Sequence, residues 1–252
     1  MPAPFELPAP LFAVVALAFA AEALTGFGGT VITVTLGAQF LPLDALLPLY
    51  VPVNLLLSLW ISVRDRGHVS QALLTRTMLP AIGAGMVVGL VVYRVAPPGP
   101  WLVLAYAVLV AVLAALELVR GSSAKAPSPV AHWAGLVGGG VVHGLYGSGG
   151  PLIVWATSRQ LQDKSALRAT LSALWLVLGT VLVAQYASLG QLDGRTLRGS
   201  AALLPCLVLG KWIGHSAHQR IAPEPFRRLL HWLLLGAALS LLVRKAMAVS
   251  GH

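Results

Sequence analysis

Glu22 and His143 are the residues of this chain with the clearest reason to do chemistry. Each is ionisable and lies inside an apolar run: "FAAEALTGFGGTVITVT" (Phe19 to Thr35) and "VVHGLYGSGGPLIVW" (Val141 to Trp155). An ionisable side chain in hydrocarbon surroundings is costly, so its presence marks it as a functional candidate. A carboxylate and an imidazole can both carry protons near neutral pH when their surroundings allow it. The two are separated by 121 positions, and each stands just before a glycine cluster. They are the candidates for proton coupling; the structural alternative is that each packs its helix while uncharged.

The clusters themselves supply a second kind of chemistry. Gly26, Phe27, Gly28, Gly29 and Thr30 form the first; Gly147, Ser148, Gly149, Gly150 and Pro151 form the second. Glycine permits backbone angles that end a helix and lets other backbone approach closely. Pro151 suits the first turn of a new helix, where its missing N–H costs nothing. Thr30 holds the matching place in the first cluster and could cap there. A helix restarting at either cluster presents free N–H groups and a partial positive charge, which favour an anion. The ten residues are therefore substrate-binding candidates, together with Asn54 and Lys211, which interrupt apolar runs elsewhere. Lys211 could attract an anion or snorkel to an interface.

These residues need a membrane to make sense. Of 252 residues 57% are hydrophobic and 10% charged, with mean hydropathy +0.82. Soluble domains carry about a quarter charged residues, so the chain reads as an integral, multi-pass protein, expected in a bacterial inner membrane. The net charge of +9 comes from Lys and Arg placed mostly in short gaps between apolar segments. Topology and anionic lipids explain that placement better than nucleic acid does. Membrane lipids are thus expected partners, nucleic acid is not, and a homodimer is compatible. The single Cys206 excludes an internal disulfide. Scattered histidines give no metal cluster, and no phosphate-binding loop appears, so neither metal nor other cofactor is expected.

The sequence predicts an all-α fold of eight apolar segments, at about 9–41, 43–63, 78–95, 101–119, 131–161, 166–186, 200–217 and 226–243. Residues 1–120 and 131–252 read as two tandem copies joined by a polar linker at 121–130. Gly29 aligns with Gly150 at an offset of 121. "MLPAIGAGMVVG" aligns with "LLPCLVLGKWIG" at 125, pairing Pro80 with Pro205, Gly85 with Gly210 and Gly89 with Gly214; "VAP" at Val95 pairs with "IAP" at Ile221. The glycines of the second pair read as close helix-packing positions. The linker and the loop bearing Arg159, Lys164 and Arg168 are both basic, so both are expected on the cytoplasmic side. The fifth segment would then enter and return, broken at its glycines, and the first would do so from the other side. Each copy keeps three crossings, which gives inverted repeats. Arg195, Arg198, Arg244 and Lys245 fit this arrangement poorly, and eight simple crossings remain the alternative.

The order of these features resembles the sulfite exporter TauE/SafE family of membrane transporters. "GFGGTVITVTLGAQFLPLDAL" follows the family's glycine run and short loop, with Thr30 in place of a third glycine. "GLYGSGGPLIVWATSRQLQDKSALRATLSALWLVLG" matches it better, and "GQLDGRTLRGSAALLPCLVLGKWIG" onward resembles the closing helices. The resemblance implies a secondary transporter of small anions such as sulfite, sulfonates or related organic acids, and not an enzyme. A passive anion channel is the alternative. An intramembrane serine protease is a weaker one: "YGSGG" has Tyr146 where its motif wants glycine, and Phe27 replaces Ser148 in the other copy.

Overall fold

The computed structural model describes residues 7–95, 100–120, 128–157 and 160–220, and single positions between 222 and 243. Residues 121–127 of the linker, most of the Val95–Pro97 and Ile221–Pro223 match, Arg159, Arg244, Lys245 and parts of the eighth segment lie outside the described residues. The described residues form helices and no strand. Helix α1 spans Ala9–Thr25, and α2 (Gly29–Ile32) widens into a π turn at Thr33–Gly37. Helix α3 is Leu43–Arg64; α4 (Gln71–Leu73) runs through a second π turn, Leu74–Met78, into α5 (Leu79–Val95). Helices α6 (Pro100–Arg120), α7 (Pro129–Tyr146), α8 (Gly150–Thr157) and α9 (Lys164–Ser188) follow, then α10 (Gly194–Ala202) and α11 (Leu204–Arg220).

Among the described residues three helices are long and apolar enough to cross a bilayer: Leu43–Arg64, Gln71–Val95 and Lys164–Ser188. Ala9–Thr25 is a shorter apolar helix, and Leu104–Val119 is an apolar stretch of α6. Glycine and proline divide some of the segments expected from the sequence. The first breaks at Gly26–Gly28 and the fifth at Gly147–Gly149. Pro80 and Pro205, matched in the sequence, each disturb the helix just before them. A proline cannot donate to the carbonyl four residues back, and its ring crowds that carbonyl. Ahead of Pro80 the backbone takes the wider π turn; ahead of Pro205 it parts at Leu203, whose N–H bonds to Ser200 O at 3.0 Å. Both segments also begin earlier than their apolar runs, so Arg195 and Arg198 lie on α10 and not in a loop.

The two glycine breaks begin in the same way. Gly26 and Gly147 take left-handed backbone angles, φ 82° and 62°, and end α1 and α7. The Gly26 N–H donates to Glu22 O, and the Gly147 N–H to His143 O, both at 2.7 Å. After each break the chain runs back along the helix it left. Gly29 lies beside Ala18 and Glu22, and Gly37 beside Leu11. Gly139 meets Ile153, Gly135 meets Ala156, and His132 Nδ1 lies 2.9 Å from Ala156 O. Each broken segment is thus a helical hairpin.

The chain packs as two compact units, each assembled from both sides of the linker. One is Met1–Gln71 with Ser165–Gln219; the other is Ala72–Lys164 with Arg220–His252. In the second unit α5 lies on α7 with the two backbones in contact. A Cβ at Gly85 or Gly89 would collide with the carbonyl of Val137 or Val141, and one at Gly140 or Gly144 with that of Ile82 or Met86. In the first unit α11 lies on α1, where Gly210 and Gly214 abut the carbonyls of Ala16 and Ala20. Small residues permit this approach, and the resulting dispersion contacts drive helix association where no water can be expelled. The other face of α5 carries exposed Val87, Val88 and Val91, as a lipid-facing surface should.

Two outcomes follow from the packing. Gly85→Leu should cost roughly 1–3 kcal/mol through overpacking and lower the unfolding midpoint of the purified protein in detergent. Gly83→Leu, where no described residue lies within 4 Å, should not. Asp193 caps α10, accepting from the N–H groups of Arg195 (3.1 Å) and Thr196 (2.7 Å). These bonds, that of Thr196 foremost, hold its carboxyl below the usual range. Its cap should therefore stabilise at neutral pH and fade only as pH falls through the depressed value. Urea or thermal melts of Asp193→Ala and the parent should converge on acidification.

Candidate functional site

Glu22 is 2% exposed and sits in the last turn of α1. Asn54 Nδ2 donates to its Oε1 at 3.0 Å, so two sequence candidates 32 positions apart come together. Tyr50, one turn before Asn54, donates its hydroxyl to Asn54 Oδ1 at 3.4 Å and stacks on Phe19, with ring centroids 5.0 Å apart. Gly29 closes the group from the returning limb, with no room for a side chain against the Glu22 carboxylate and Tyr50 hydroxyl. Asn54 is the twelfth of the 22 residues of α3, the middle of a helix of spanning length. The cluster is thus polar, buried and centred on a carboxylate.

The end of α1 leaves backbone carbonyls without intrahelical partners. Three side chains meet them. Arg168 Nη1 donates to Ala23 O at 2.9 Å, His218 Nδ1 lies 2.7 Å from Leu24 O, and Trp175 Nε1 donates to Gly26 O at 2.7 Å. Arg168 also forms an ion pair with Asp65, through Nη2 and Oδ2, and its backbone packs against Gly26. At 2% exposure it is a buried cation held by a carboxylate and a helix end. Its position after an apolar segment reads more readily as a topology charge than as a site residue, so the pairing is not visible in the sequence.

The second hairpin is built differently. His143 is buried at 4% exposure and packs against Gly149. Ser148, at 1%, shares a 2.5 Å hydrogen bond with the Tyr106 hydroxyl, and the Tyr106 and Tyr146 rings lie 4.8 Å apart. Tyr106, Ser148, Gly149 and Pro151 line a crevice with Val110 and Leu152. In the first hairpin the place of Ser148 is taken by Phe27, an apolar residue 3% exposed.

Gly28, Gly29, Gly149 and Gly150 are buried, and Thr30 and Pro151 partly so. Thr30 does not cap α2. Gly28 occupies the capping position, placing Thr30 inside the helix. Thr25 organises the turn instead: its Oγ1 accepts from the Phe27 N–H at 3.2 Å and donates to Ala21 O at 2.8 Å. Lys211 reaches the face of Trp60, with Nζ 4.9 Å from the ring centroid, a cation–π contact.

Helices that break inside an apolar protein around buried ionisable groups define a class, the polytopic membrane transporters. The chain belongs to the sulfite exporter TauE/SafE family, whose sequence profile matches residues 11–241. Members of that family are transporters and not enzymes. Over 139 residues, the chain is 29% identical to a probable sulfite/organosulfonate exporter TauE of Cupriavidus necator, covering 52% of this chain and 54% of that protein. Over 108 residues, it is 29% identical to a probable inner membrane transporter protein TsaS of Comamonas testosteroni, covering 42% and 44%. The chain spans about half the length of the curated relatives it matches. No solved structure matches it.

Removing one partner of the Arg168–Asp65 pair should leave a buried charge uncompensated, at a cost of about 3–5 kcal/mol. Asp65→Ala and Arg168→Met should each lower the unfolding midpoint strongly. The double variant should be less destabilised than the sum of the two, which a double-mutant cycle in detergent reads directly.

Proposed function

We propose that the chain is a secondary transporter that moves small anions, such as sulfite, sulfonates or related organic acids, across the inner membrane. Each hairpin tip, Gly26–Thr30 and Gly147–Pro151, offers backbone N–H groups as an anion site near the membrane midplane, with Asn54 beside the first. Glu22 and His143 take up and release the coupled proton. The two copies are inverted, each hairpin entering and leaving from one side.

The observation that carries this reading is the matched pair of breaks. In both, the residue four before a left-handed glycine is a buried ionisable group whose carbonyl accepts that glycine's N–H at 2.7 Å. The packing pairs support the repeat, because Gly85 on Val137 and Gly210 on Ala16 obey the same two sequence offsets. Asn54 at the middle of α3 supports a midplane site. The relatives' printed names support the sulfite and organosulfonate class. Ser148 meets Tyr106 and not a histidine, which gives the protease reading no support.

Flux into liposomes tests the proposal. A carrier gives saturable sulfite flux that follows an imposed proton gradient, and Glu22→Gln should reduce the gradient-driven part at least tenfold. Flux that never saturates and ignores the gradient would identify a passive channel. Coupled flux that survives both Glu22→Gln and His143→Ala would remove these residues from the coupling step.

A further inference from the structure

Helix α3 carries more polar groups than the Glu22 cluster uses. Asn54, Ser58, Ser62 and Asp65 follow one another at spacings of four, four and three. On a helix of 3.6 residues per turn these fall on one face. The opposite face holds Leu56, Leu59 and Val63, which are 47–63% exposed. The Ser58 and Ser62 hydroxyls are buried and have no hydrogen-bond partner among the described residues, and neither has that of Ser172 on α9. Ser172 stands one turn after Arg168, and α9 runs antiparallel to α3: Arg168 meets Asp65, and Gly179 meets Leu55. Ser172 is thus level with the stretch of α3 between Ser58 and Ser62. All lie in the same compact unit.

A buried hydroxyl without a partner forfeits the hydrogen bonds it made to water. Three along one line are better explained by water than by three separate losses. The line has defined ends. Inward lies Glu22, held by Asn54; outward lies the Arg168–Asp65 pair, beside the exposed turn Arg66–His68. From Asn54 to Asp65 the helix rises about 16 Å.

We propose that Ser58, Ser62 and Ser172 line a hydrated path by which water and protons pass between Glu22 and the Arg66–His68 end of α3, with the Arg168–Asp65 pair at its mouth. The path gives the carboxylate a route to one side of the membrane. This inference rests on the reading of Glu22 as the proton-coupling group, and it adds the residues that deliver the proton.

The single Cys206 makes the test direct. In a Cys206→Ser background, Ser58→Cys, Ser62→Cys and Leu59→Cys are exposed in liposomes to a charged, water-soluble thiol reagent. A thiol reacts as thiolate, so it needs water. Ser58→Cys and Ser62→Cys should label at least tenfold faster than Leu59→Cys, which faces lipid. Equal or slower labelling overturns the path. In a separate measurement Ser58→Ala with Ser62→Ala should slow proton-driven sulfite flux several-fold, and unchanged coupled flux overturns the delivery role. Labelling needs no transport, so it distinguishes failure of the path from failure of the transport reading.

Discussion

Breaking a helix inside an apolar protein leaves backbone groups that need new partners, and this constraint organises the structure. The end of α1 meets it with borrowed donors: Arg168, His218 and Trp175, from α9 and α11, reach Ala23, Leu24 and Gly26. Those donors must themselves be held. Asp65 holds Arg168, and the Ser165 hydroxyl lies 3.3 Å from His218 Nε2. The break therefore fixes how α3, α9 and α11 stand around α1. It also brings the last turn of α1 to Asn54, so the polar centre follows from the same requirement.

The backbone breaks were legible in the sequence because glycine and proline have few other uses in a long apolar run. Gly26 and Gly147 are where the runs end, and Gly85, Gly89, Gly210 and Gly214 are packing positions as their spacing indicates. The meeting of Glu22 and Asn54 was legible only as two separate oddities, since no local pattern states which polar residues on different helices will meet. Arg168 was hidden for a related reason. A basic residue at the edge of an apolar segment is common, and its pairing with Asp65 depends on tertiary geometry 103 positions away. Thr30 was misplaced as a cap because the turn needs two left-handed glycines, and the second of them, Gly28, caps α2 two positions earlier.

The hairpins share a left-handed glycine four residues past a buried ionisable group, and differ beyond it. The first turn uses a second left-handed glycine, Gly28, and its returning limb widens into a π turn; the second does neither. One tip surrounds a carboxylate with an amide and a tyrosine; the other sets a serine against a tyrosine and buries an imidazole.

The composition of the compact units carries one more consequence. Helix α5 finds its partner in α7, and α11 finds its partner in α1, so the contact surfaces of each sequence half are filled by the other half. A chain cut between α6 and α7 would separate α5 from α7 and α1 from α11, each from the helix it packs on. One polypeptide keeps these partners together at any concentration.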